Sequence, residues 1–136
     1  MDDARHTFVD HTSEVELRLD APSPAALFVE AGRALAELML GERAGAETVT
    51  DQVTVTAPDR AALLAAWIDE LIFCAETRKA VFTSFEVARV DEHEVVAAIR
   101  GVAEPVVKTA VKAATFHDLR VVEENGRWLA TVVLDV

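Results

Sequence analysis

The chain opens on alternating hydrophobic and polar positions. His6 to Val9 reads as a short strand. In Glu14 to Asp20, Val15, Leu17 and Leu19 face one way and Glu16 and Arg18 the other, the pattern of a half-buried strand. The period then changes. Ser23-Pro24 gives a helix start, with Ser23 as cap and Pro24 at the first helical position. Leu27/Phe28, Ala31, Leu35 and Leu38/Met39 recur at helical spacing until Gly41, which can end the helix. Residues 42–50 read as a polar loop. Val53, Val55 and Ala57 mark a strand, and Asp59 caps a second helix whose buried stripe is Leu63/Leu64, Trp67/Ile68, Leu71/Ile72 and Ala75. Val81 to Val90 and Val95 to Gly101 are strands joined by Asp91-Glu92-His93, and Ala113 to Glu123 reads as one long strand. Asn125-Gly126 is a strong hairpin signal, because both residues accept positive φ. Trp128 to Leu134 closes the chain with Trp128, Ala130, Val132 and Leu134 on one face.

Two helices and about seven strands result. Hairpin-like spacing after the second helix makes the sheet mainly antiparallel, so the fold class is α+β rather than doubly wound α/β. The apolar run up to Leu134 implies that the C-terminal end is paired in a sheet rather than frayed.

Composition narrows the picture. The 136 residues fit one domain over 1–136, and 51% of them are hydrophobic, which excludes a disordered chain. No apolar run approaches the ~20 residues that span a bilayer, and Met1-Asp2-Asp3 leads into no signal sequence. The single Cys74 has no disulfide partner in the chain and reads as a small hydrophobe; with these features a reducing cytoplasm is expected. With 24 acidic against 13 basic residues the net charge is -11. That disfavours direct, stable nucleic-acid binding and favours cations or a basic partner.

Candidate chemistry is oxygen chemistry. P-loop, GxGxxG, HExxH, GxSxG and Cys/His cluster signatures are all missing from the sequence. The candidates are Asp10, His11, Thr12 and Glu14 near the start, Lys112 and His117 late, and Asp135 with the α-carboxylate of Val136. Asp10 to Glu14 also reads as a plain tight turn, and His117 as a solvent-facing strand residue. Asp135 and the Val136 carboxylate are adjacent anions. They repel unless a cation or base sits between them, and a third carboxylate would complete a hard-cation site. Simple solvation of both groups is the alternative.

These residues resemble the archease family. Asp10-His11-Thr12-Ser13-Glu14-Val15 is similar to the family's E/D-H-T-A-D-hydrophobic opening. Ala65-Ala66-Trp67-Ile68-Asp69-Glu70-Leu71-Ile72 is similar to its L-x-x-W-L-x-E-L-L helix. Val81-Phe82-Thr83-Ser84-Phe85-Glu86-Val87 resembles V-F-S-x-F-x-V, and Val111 to Leu119 resembles E-V-K-A-x-T-Y-H-x-L. Gly126-Arg127-Trp128-Leu129-Ala130, followed by Asp135-Val136, resembles G-x-W-x-A ending in D-hydrophobic. The resemblance implies a non-enzymatic accessory protein that activates an RtcB-type RNA ligase in tRNA splicing or RNA repair. It does so by promoting guanylylation of the ligase and multiple turnover. It also implies a divalent cation (Ca²⁺, or Mn²⁺ or Mg²⁺) held by Glu14, Asp135 and Val136, with Lys112 as a functional residue and His11 and His117 as weaker candidates. The chain departs from the family pattern at Glu14, where the family has Asp, at Ala110, where it has Glu, and in a short Gly101–Lys108 segment without a His. A stand-alone metal-dependent hydrolase, using His11 or His117 as base, and a metal-free binding module of the same fold are the competing expectations.

Overall fold

A computed structural model describes residues 3–42 and 45–136. The order is β1 (Arg5–His11), β2 (Glu14–Ala21), α1 (Pro24–Leu40), β3 (Glu47–Thr56), α2 (Arg60–Arg78), β4 (Ala80–Val90), β5 (Glu94–Ala103), β6 (Ala113–Ala114), β7 (Arg120–Glu124) and β8 (Arg127–Asp135). All strand pairs are antiparallel. One sheet runs β1-β2-β8-β6, with β7 also on β8; the other runs β3-β5-β4. Among the described residues no helix is long and apolar enough to cross a membrane.

The helices start where the sequence puts them. The Ser23 hydroxyl accepts from Ala26 N–H at 3.1 Å, and Asp59 Oδ1 from Ala62 N–H at 2.8 Å. Each helix touches strands of both sheets, so neither has the single apolar stripe of a surface helix. On α1 even Glu30 and Gly32 are buried. At the centre lies Trp67, fully buried, whose indole N–H donates 3.0 Å to the Phe28 carbonyl of α1. Its ring meets Phe28 and Phe85, each with centroids 6.1 Å away. Gly32 admits the Phe85 ring to α1, since a Cβ there would lie 2.7 Å from the ring. Gly32→Val is therefore expected to cost roughly 1–3 kcal/mol by overpacking, read as a lowered urea midpoint at unchanged slope.

Two readings of the pattern are corrected. The polar loop assigned to 42–50 is already strand from Glu47; positions 43 and 44 lie outside the described residues. β3 is an edge strand with one face in water, so the polar positions alternate with half-buried Val49 rather than breaking the strand. The long strand assigned to 113–123 is two short ones, β6 and β7. Between them Asp118 adopts φ +54 and the Thr115 hydroxyl accepts from His117 N–H at 3.3 Å, so turn chemistry interrupts the ladder. Among the described residues there are eight strands rather than about seven, and the α+β class stands.

His6 ties β1 to α1. Its Nδ1 lies 2.6 Å from buried Glu30 and its Nε2 3.0 Å from Glu37. Burial pushes the imidazole pKa down, but the hydrogen bonds and charges of Glu37 and Glu30 together hold it above its ordinary 6.5. A raised folded pKa stabilises fully below pH 6.5, and that contribution fades as pH rises through the higher folded value. His6→Gln should cost roughly 1–3 kcal/mol at pH 6, because it weakens the pairing of a buried carboxylate. The deficit should shrink by pH 8 when both proteins are melted across that range.

Candidate functional site

The register of β1, β2, β8 and β6 assembles the candidate residues. Glu14 lies directly opposite Asp135, His11 directly opposite Glu14, and Ala113 opposite Asp135 on its other side. His11, Glu14, Asp135 and Ala113 thus form one row across four strands. Paired residues share a face. In β2 the buried partners Val15, Leu17 and Leu19 point to the helices, so Glu14 projects from the opposite, outer face with Asp135.

The row is pinned from several directions. Val136 N–H donates to the Ser13 carbonyl at 3.2 Å, and Lys112 N–H to the Asp135 carbonyl at 2.8 Å. Asp69 of α2 accepts from Ala114 N–H at 2.8 Å, which docks β6 beside Asp135. Asp69 was not among the site candidates read from the sequence. It stands on the exposed side of the helix, where an isolated acidic residue carries no sign of a distant main-chain partner. Thr12-Ser13 is the tight turn joining β1 to β2, with Ser13 at φ +63.

The remaining candidates separate. Asp10 pairs with Val15 and falls on the other face from His11 and Glu14. Lys112 has an exposed side chain next to the row. His117 lies in the turn after β6, exposed, with its Nε2 3.2 Å from Asp118. Among the described residues, no three or more His, Cys, Asp and Glu side chains gather closely enough to hold a metal ion. What the row does supply is two hard oxygen donors facing one another, with the main-chain end of β8 beside them. Such oxygens suit Ca²⁺, Mg²⁺ or Mn²⁺. Cys74 is buried, and burial pushes its thiol up to about 12, with the Glu70 carboxylate adding to the shift, so it carries no reactive thiolate at neutral pH.

Two helices enclosed by antiparallel sheets, with an acidic row at the end of the closing strand, define a small α+β domain whose carboxyl-end residues are fixed in a ladder. A sequence model of the archease protein family (MTH1598/TM1083) matches residues 6–136, and the chain belongs to that family. It is 33% identical to a protein archease of Methanopyrus kandleri over 94% of this chain and 96% of that one. It is 26% identical to one of Methanosarcina mazei over 97% and 96%. The solution structure of Methanobacterium thermoautotrophicum protein 1598 superposes with a TM-score of 0.81 at 28% identity, covering 96% of this chain and 98% of that one. An archease from Thermotoga maritima, described as a possible chaperone, shares the fold at 17% identity and a TM-score of 0.69, with 94% of each chain covered.

Proposed function

We propose that the protein is an accessory activator of an RtcB-type RNA ligase, promoting guanylylation of the ligase and its repeated turnover in tRNA splicing or RNA repair. The observation that carries this reading is the placement of Glu14 directly opposite Asp135, at the end of a strand whose next residue, Val136, is hydrogen-bonded to the turn before Glu14. Those two carboxylates, with the α-carboxylate of Val136, would hold a divalent cation. When bound, the cation supplies charge neutralisation for phosphate oxygens. Lys112 stands beside the row as a point charge that can steady a phosphate at the ligase's nucleotide site. The net charge of -11 suits docking on a basic partner and keeps the protein itself off free nucleic acid.

The test is to follow guanylylation of a cognate ligase with GTP and Mn²⁺, with and without the protein. Faster guanylylation and more than one ligation event per ligase are expected, and no stimulation would overturn the reading. A second reading, a metal-free module on the same fold, draws support from the Glu14 side chain, one methylene longer than the family's Asp. Calorimetry separates the two: heat on adding Ca²⁺ or Mn²⁺ supports the first, and its absence together with intact ligase stimulation supports the second.

A further inference from the structure

Two rows further along the outer face of the same sheet, the acidic character gives way. Thr7 pairs with Arg18, Arg18 with Thr131, and Thr131 with Arg120, so these four residues line one row across β1, β2, β8 and β7. The helices pack on the other side of the sheet, and Arg18 and Arg120 are exposed. All four line a cavity of about 490 Å³, together with Arg5, Asp20 and Glu124. A second cavity of about 470 Å³ shares Arg18, Arg120 and Thr131 and continues toward Asp118.

Among the acids, Glu124 lines the first cavity and Glu16 the second, while Asp20 and Asp118 are engaged elsewhere. Asp20 is held by Arg127 at 2.8 Å and by Arg5 at 3.3 Å, and Asp118 stands against His117. Glu16 takes only the Nε of Arg18, at 2.5 Å, which leaves both Nη groups of that guanidinium without a partner among the described residues. Arg120 has no side-chain partner at all among them. Uncommitted guanidinium donors and the Thr131 hydroxyl therefore stand together on a protein that is acidic overall.

We propose that this row is an oxyanion site for a phosphate group, with Arg18 and Arg120 approaching from either side and Thr131 donating its hydroxyl from the floor. Arg18 and Arg120 flank Thr131 two strand spacings apart, about 9.5 Å at the backbone. That gap lets two long forks converge on one tetrahedral anion seated over Thr131. Guanidinium forks match the paired oxygens of phosphate, which a lone ammonium does not. The row is four residues along β2 from Glu14, about 14 Å, so a single phosphate cannot occupy both places. The proposal does not depend on the ligase reading.

Titration of ¹⁵N-labelled protein with inorganic phosphate at pH 7 tests it, read by amide shifts and compared with sodium chloride at matched ionic strength. Saturable shifts centred on Arg18, Arg120 and Thr131 are expected. Arg18→Gln with Arg120→Gln should weaken binding at least about tenfold, while the melting temperature, set by the core and not by these exposed side chains, holds. A parallel titration with a nucleoside monophosphate distinguishes free phosphate from a nucleotide ester as the better occupant, and saturable binding of either supports the site. Shifts that chloride reproduces, that centre elsewhere, or that persist in the folded double variant overturn it.

Discussion

Asp135→Asn is expected to abolish the response of the protein to divalent cations while leaving its fold slightly more stable in their absence. The two signs have one cause. Glu14 and Asp135 are direct cross-strand partners on one face, and like charges so placed destabilise a sheet by about 0.2–1 kcal/mol. Asn keeps the shape and removes the charge. The Asp135 main chain still accepts from Lys112 N–H, so the ladder survives. In the wild type, a cation at a hundred times its dissociation constant should add about 2.7 kcal/mol to stability. The variant should gain nothing. Melting both proteins with chelator and then with saturating Ca²⁺ or Mn²⁺ should make the curves cross: the variant melts higher without metal and the wild type higher with it. Identical responses of the two proteins to metal would remove Asp135 from the proposed site.

Trp67→Ala is expected to cost more stability than Gly32→Val, His6→Gln or Asp135→Asn, about 3–5 kcal/mol. The indole is fully buried and packs on rings from α1 and β4. Its N–H is hydrogen-bonded to the Phe28 carbonyl, so one side chain joins both helices and the second sheet. For a chain of this size that loss lowers the melting temperature by roughly 10–20 °C. Trp67→Phe should recover part of the packing and none of the hydrogen bond, and so fall between the two. A melting temperature within about 3 °C of wild type for Trp67→Ala would mean that the helices are held together by other contacts.

The helices were legible in the sequence because Ser23 and Asp59 announce their caps and the apolar positions keep a 3.6-residue period. Their enclosure by two sheets was less so. A helix covered on several sides shows extra apolar positions, and the many alanines of α1 blur where one buried face ends and the next begins. The break between β6 and β7 was hidden because Thr115, Phe116 and Leu119 keep strand-like composition through a turn. In the site, the anions at the end of β8 could be named from position alone, but register could not. Only the two-residue turn at Thr12-Ser13 and the β2–β8 pairing bring Glu14 opposite Asp135. Asp69 lies much earlier in the chain than the Ala114 N–H it holds, a contact that local pattern does not encode. The Arg18–Arg120 row was illegible for the same reason, since those residues meet only across Thr131.

The Glu14–Asp135 row is proposed as the part of the protein that acts on a ligase partner. Its most direct test is the rate of guanylylation of a cognate ligase by GTP in Mn²⁺, measured with no added protein, with the wild type and with folded Asp135→Asn. The wild type should stimulate the ligase, and the rate with Asp135→Asn should stay close to that of the ligase alone. Equal stimulation by both proteins would contradict the claim.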